Sequence, residues 1–171
     1  NINSFVDLGS IVPGVTVAKN EGYKTVISIR GVGNETNQNA IAAPSVAFHM
    51  DGIFIASPFS LQTDFIDIDR IEVLRGPQGT LFGQNSTGGA VNVISKKPST
   101  DEFAGKADLT LGNYGLKKYR TSLNMPISDK VATRFSVSST ERNGFSNNVY
   151  TGQDLDDANN ISVRSDWLFD L

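Results

Sequence analysis

Residues 69–97, DRIEVLRGPQGTLFGQNSTGGAVNVISKK, decide how the rest of the chain is read. Ile71 and Val73, with Ile68 just ahead, supply the β-branched residues of a strand, and Gly76-Pro77 stops it. Proline cannot donate to a ladder but suits the first turn of a helix, so Pro77–Phe82 is predicted as a short helical segment ended at Gly83. Asn85–Gly89 then makes a tight polar turn, and Ala90–Ser95 alternates as a second strand.

Upstream, the elements are short. Phe5, Leu8 and Ile11 share one helical face, which predicts a helix over Ser4–Ile11, stopped by Pro13-Gly14. Val15–Ala18 and Thr25–Arg30 are β-rich runs broken at Asn20-Glu21-Gly22. A polar loop follows over Val32–Pro44. Val46–Met50 is a strand that turns at Asp51-Gly52 and returns through Ile53-Phe54-Ile55. Ala56–Thr63 is a second irregular loop. The outcome is an α+β unit with a short mixed sheet and small helices.

Downstream of Pro98 the texture changes. Pro98–Glu102 reads as a linker, and four long alternating segments follow, around 105–111, 118–125, 131–138 and 161–169. Their joints are Gly112–Gly115, Ser128–Lys130 and the longer loop Asn143–Asp157. Alternation of this kind suits two architectures. One is an antiparallel sheet in water with one wet face; the other is a transmembrane β-barrel with apolar residues outside and a polar lumen. Taken alone, the alternation favours the first.

Composition narrows the function classes. The chain has 171 residues, a net charge of -3 and no cysteine. Scattered basic residues without a patch argue against nucleic-acid binding. The lack of cysteine excludes a disulfide scaffold and thiolate metal sites. No apolar run approaches the about 18 residues of a membrane helix. The first residues carry no signal peptide, so an exported precursor is expected either to have lost one or to carry it outside these 171 residues. His49, the only histidine, rules out a His-based metal cluster and leaves a structural role on its strand. GQNSTG at 83–88 lacks the spacing of a nucleophile elbow, and no P-loop or dinucleotide fingerprint is present. Asp67 and Asp69 alternate along an extended segment, where a water-facing acidic margin outweighs a cation site. No enzymatic activity, cofactor or metal is expected.

RIEVLRGPQGTLFG followed by STGGAVNVISKKP closely resembles the plug domain of TonB-dependent outer-membrane receptors, in register from Arg70 to Pro98. Ser28–Gly31, Val46–Ile53 and the entry segment Phe5–Val17, with Leu8, Pro13, Gly14 and Val15 in place, agree with it. The resemblance covers residues 1–98 and implies a plug domain there. It also turns the reading of 103–171 towards the first strands of an outer-membrane β-barrel. Four strands cannot close, since the smallest membrane barrels need about eight, so the barrel is incomplete and the chain is expected to be part of a longer protein.

The same resemblance implies a function. The plug would gate active uptake of a scarce substrate, a siderophore-type iron complex foremost, across the outer membrane of a Gram-negative bacterium. TonB, from an inner-membrane complex, would pull on a segment upstream of residue 1. Other partners implied are the small-molecule substrate and outer-membrane lipid, with no nucleic acid. Arg30 and Arg75, each ending a β-rich run before a glycine, match plug arginines that pair with glutamates of the barrel wall; in isolation each would simply cap its strand. Loop residues Asn34, Glu35, Gln38 and Phe59 are the ligand-contact candidates, offering polar groups and an aromatic surface. Two rivals stand beside this reading: a signalling receptor of the same family, and a freestanding soluble binding domain of plug-like ancestry.

Overall fold

Two local signals build the first part of the chain: the spacing of its apolar residues and its glycine turns. A computed structural model describes residues 5–20, 24–33, 44–56 and 65–170. The chain divides into two units, Asn1–Ser95 and Lys96–Leu171. Residues 21–22 of the break after β1, most of the polar loop 32–44 and most of the loop 56–63 lie outside the described residues.

In the first unit, helix α1 (Phe5–Ile11) buries Phe5 and Leu8. It ends before Gly14, which stands at a φ of 78°. Strands β1 (Val15–Asn20), β2 (Lys24–Ile29) and β3 (Val32–Gly33) make a three-stranded antiparallel sheet. A second sheet holds β4 (Val46–Met50), β5 (Ile53–Phe54), β6 (Ile68–Arg75) and β7 (Gly89–Ser95) in the order β5-β4-β7-β6. Its β4–β7 pair is parallel and its outer pairs are antiparallel, so the sheet is mixed. The central strands β4 and β7 are buried along most of their length, with His49 and Asn92 set among the apolar residues of the second face.

One core serves the unit. Phe5 and Leu8 pack with Val15, Ile27, Ile29, Phe48, Phe65, Val91 and Val93. Phe5 meets Phe48 and Phe65 edge-on, with ring centroids 5.4 and 4.6 Å apart. The β4–β5 turn is a compact Asp-Gly pair, with Asp51 at φ 52° and Gly52 at 82°. The Asp51 carboxylate accepts from Ser95 N and Ser95 Oγ, each at 2.9 Å, tying that turn to the end of β7.

Helix α2 occupies Gly79–Phe82 only, two residues short of the expected start at Pro77. The Gln78 N–H is committed to Ser86 O at 2.9 Å, so Pro77 and Gln78 belong to the loop and the helix begins after them. Gly83 ends it at φ 73° with its N–H on Gly79 O. The paired alternation of Asp67 and Asp69 is not kept either. Asp67 stands at φ 52° ahead of β6, and Asp69 pairs with Arg70 at 2.9 Å.

The second unit is an antiparallel sheet of β8 (Ala104–Gly112), β9 (Leu116–Ser128), β10 (Val131–Arg142) and, after a small hairpin, a last long strand. The hairpin pairs β11 (Ser146–Asn147) with β12 (Asp154–Leu155), so the long joint after β10 carries structure of its own. The last strand is β13 (Ala158–Phe169), and the order is β13-β10-β9-β8. Pro126, which cannot donate to a ladder, sits beside the register shift at Val131/Ala132 and beyond the last residue of β9 paired to β8. The expected linker is pinned. Asn124 accepts from Ser99 N and donates to Ser99 O and Glu102 O at 2.7–2.9 Å.

Burial in this sheet is inverted. Ser122, Asn124, Ser136 and Ser138 are buried, while Leu109, Leu111, Ile161, Val163, Trp167 and Phe169 are exposed. Register places the polar set on one face. Lys106, Ser122, Ser136 and Arg164 form one row across the sheet, and Asp108, Arg120, Ser138 and Ser162 the next.

Candidate functional site

Each of the two arginines singled out from the sequence precedes a positive-φ glycine at the end of a strand. Ile29 pairs with Val32, so Arg30 and Gly31 form a two-residue turn between β2 and β3. Both stand at positive φ, 54° and 77°. Glycine takes that conformation freely, but an arginine in it carries roughly 1–2 kcal/mol of strain. The turn is anchored, because Arg30 N donates to Gly14 O at 2.7 Å. Arg75 ends β6 opposite Gly89, and Gly76 follows at φ 87° with its N–H on Gly88 O.

Gly88 and Gly89 bring these turns together. A Cβ on Gly89 would run into Leu74 O and lie 2.8 Å from Ile29 Cδ1. One on Gly88 would lie 2.9 Å from Val32 O. Only glycine allows the β2–β3 turn to approach the β6–β7 pair this closely, so the residues flanking the Arg30-Gly31 turn rest on the glycine facing Arg75. Both arginines are exposed, and among the described residues neither side chain has an ion-pair partner. Arg70 differs: it pairs with Asp69 and with Glu72, each at 2.9 Å.

A polar row on the other face of the second sheet left no signal in the sequence. His49, Asn92 and Glu72 are register neighbours on β4, β7 and β6. Asn92 Nδ2 donates to Glu72 Oε2 at 3.2 Å and Arg70 Nε donates to Glu72 Oε1 at 2.9 Å. The bond from Arg70, then that from Asn92, holds the Glu72 carboxyl below the usual carboxylate range. Only the parallel β4–β7 register could have revealed this row, and that register spans more than forty residues of chain.

The ligand-contact candidates Asn34, Glu35, Gln38 and Phe59 lie outside the described residues. Among the described residues, no group of three or more His, Asp and Glu is placed to hold a metal ion. In the second unit, Trp167 and Phe169 stack on the outward apolar face, centroids 6.1 Å apart. Beyond it the β11–β12 hairpin carries Val149 and Tyr150 almost fully exposed. What this arrangement offers is a small domain with two cations, unpaired among the described residues, beside one glycine junction, joined in sequence to a sheet that displays its apolar residues.

Residues 1–90 match the family model described as TonB-dependent Receptor Plug Domain. The pesticin receptor of Yersinia pestis is 30% identical over 126 residues, 71% of this chain and 18% of that receptor. The catecholate siderophore receptor Fiu of Escherichia coli K12 is 31% identical over 109 residues, 61% of this chain and 14% of the receptor. The crystal structure of the ferric yersiniabactin uptake receptor FyuA from Yersinia pestis superposes with a TM-score of 0.73 and 25% identity, covering 92% of this chain and 24% of that one. The ferripyoverdine receptor of Pseudomonas aeruginosa, solved with ferripyoverdine bound, gives 0.67 and 25%, over 85% of this chain and 19% of that one. The chain thus spans less than a fifth of the length of these curated relatives.

Proposed function

This chain belongs to the TonB-dependent receptor plug family, and we propose that it forms the gate and first wall strands of an outer-membrane transporter for a siderophore-type iron complex. One observation carries the reading: a plug-family domain runs directly into an antiparallel sheet whose large side chains, Leu109, Leu111, Val163, Trp167 and Phe169, face outward while its serines are buried. An ordinary sheet in water buries the opposite face. Lipid outside and a polar lumen inside account for the inversion. The substrate class follows relatives whose names specify siderophore or ferric-siderophore uptake.

Within this reading Arg30 and Arg75 lock the plug. Each guanidinium presents a fixed fork that binds a carboxylate bidentately and keeps its charge at every relevant pH, so glutamates of the barrel wall are fitting partners. The strain at Arg30 supports a role beyond folding, since a glycine or asparagine would suit the turn better. A pull by TonB on the plug's N-terminal side then has to break two localised ion pairs rather than a broad interface. Asn34, Glu35, Gln38 and Phe59 would meet the substrate from outside. No bond of the substrate is made or broken.

The test is uptake of radiolabelled iron by receptor-deficient Gram-negative cells expressing a receptor that carries this chain, with a panel of ferric siderophores. Accumulation that vanishes when TonB is deleted is expected for at least one of them. Uptake indifferent to TonB, or none across catecholate, phenolate and hydroxamate complexes, would overturn the assignment.

A further inference from the structure

His49 stands on the face of the second sheet turned away from Phe48, Val91 and Val93, in register with Asn92 and beside helix α2. It is 8% exposed. Its ring lies between Phe54, with centroids 5.5 Å apart, and Phe82 of α2, which it meets edge-on at 5.0 Å. His49 Nδ1 is buried without a hydrogen-bond partner, and so is Asn92 Oδ1. Helix α2 itself has no buried residue. A four-residue helix has almost no stability of its own, so its docking depends on contacts such as Phe82 on His49.

We infer that the His49–Phe82 contact is a proton-sensitive latch: the neutral imidazole holds α2 against the sheet, and protonation of the ring releases it. An imidazolium here would be a cation between two phenyl rings, desolvated and without a counter-charge. The elements packed around it offer neutral or already bonded groups. From β5 the neighbour is Phe54, and α2 with its flanks, Pro77 to Gln84, carries no charged side chain. From β7 comes only the neutral amide of Asn92. From β6 comes Glu72, whose two oxygens are taken by Arg70 and Asn92, while Asp69 is taken by Arg70. On its own strand Ala47 shares the face, and Asp51 beyond the strand end is bonded to Ser95. Among the described residues no carboxylate pairs with or hydrogen-bonds to the His49 ring, and Glu72, on the same register row, is already held by Arg70 and Asn92.

The direction follows. Burial pushes the docked His49 below its ordinary value of 6.5, whereas a released ring in water titrates near that value. The released state therefore binds the proton better. Docking is strongest above the released pKa, weakens as pH falls through it, and levels off below the docked pKa. Because α2 begins just after Arg75-Gly76 and ends before Gly88-Gly89, release loosens the segment between one arginine turn and the glycine junction. The latch does not depend on what the receptor transports.

Two measurements on the chain in detergent micelles test it. The single histidine gives one imidazole signal, so its titration by NMR needs no assignment; a pKa below 6.5 is expected, and one at or above 6.5 overturns the proposal. Hydrogen exchange of the Phe82 and Gly83 amides, which donate to Gln78 O and Gly79 O, is then compared at about pH 7.5 and about pH 5 after correction for intrinsic rates. Exchange is expected to rise on acidification by up to about tenfold per pKa unit separating the docked and released ring. In His49→Phe, which keeps an aromatic contact and cannot titrate, the rise should vanish. An unchanged rise in that variant, or no rise in the wild type, sinks the latch.

Discussion

The plug unit closes a core of large apolar side chains, whereas the sheet unit displays its own. Leu8, Phe48, Val91 and Val93 are almost fully buried, whereas Leu109, Leu111, Val163, Trp167 and Phe169 are each more than half exposed. The buried places of the second unit go instead to Ser122, Asn124, Ser136 and Ser138. Both units obey one rule, that apolar surface leaves water, but they solve it with different surroundings. The plug supplies its own apolar interior. On the proposed reading the sheet meets lipid on its apolar face and keeps its other face for hydroxyls, amides and ion pairs such as Arg164–Asp166.

That contrast can be broken most forcefully at Leu8. Leu8→Ala opens a cavity in a closed core and should cost about 4 kcal/mol in denaturant unfolding of the plug. Leu111→Ala should stay within about 0.5 kcal/mol in detergent. Equal losses at the two sites would mean the sheet has an ordinary core.

Charge sharpens the comparison. Val163 lies mid-strand on the outward face of β13. In a receptor carrying this chain, Val163→Arg should lower folding into lipid vesicles by about 3 kcal/mol, read from vesicle-folding titrations. Ile53→Arg, at a comparably exposed site of the plug, should shift it by no more than about 0.5 kcal/mol. Similar penalties would remove the lipid-facing assignment.

A smaller effect separates the two kinds of polar group. Ser95→Ala removes one bond to Asp51 and should cost the plug about 1 kcal/mol by thermal or urea unfolding. The smallest is expected at Arg30. Arg30→Gly relieves a strained φ and should leave stability unchanged or up to about 1 kcal/mol higher. Iron uptake should nevertheless become leaky or fail. Normal uptake with this variant would reduce Arg30 to a turn residue.

Particular residues show how much of this was legible. The Asp51-Gly52 turn, the helix ending before Pro13 and the strands β4, β6 and β7 follow from signals a few residues long, so the sequence showed them. Helix α2 was placed two residues early because Pro77 offered a helix start, while the bond between Gln78 N and Ser86 O lies across the loop. The hairpin within 143–157 was missed because its strands are two residues each, too short for any period to register. Of the site, the two Arg-Gly turns were legible as residues; their meeting at Gly88-Gly89 was not.

The sequence by itself determined the order of the longer elements, most of the turns between them and the plug family, because alternation, glycine and proline act over neighbouring residues. It also set the alternation of large apolar and small polar residues along β8, β9, β10 and β13. Only the tertiary structure decided which set is buried, which strands neighbour β7, and that His49 lies under Phe82 beside Asn92. Those facts depend on register between strands far apart in the chain, such as the parallel pairing of β4 with β7, where a one-residue slip would turn every side chain to the opposite face.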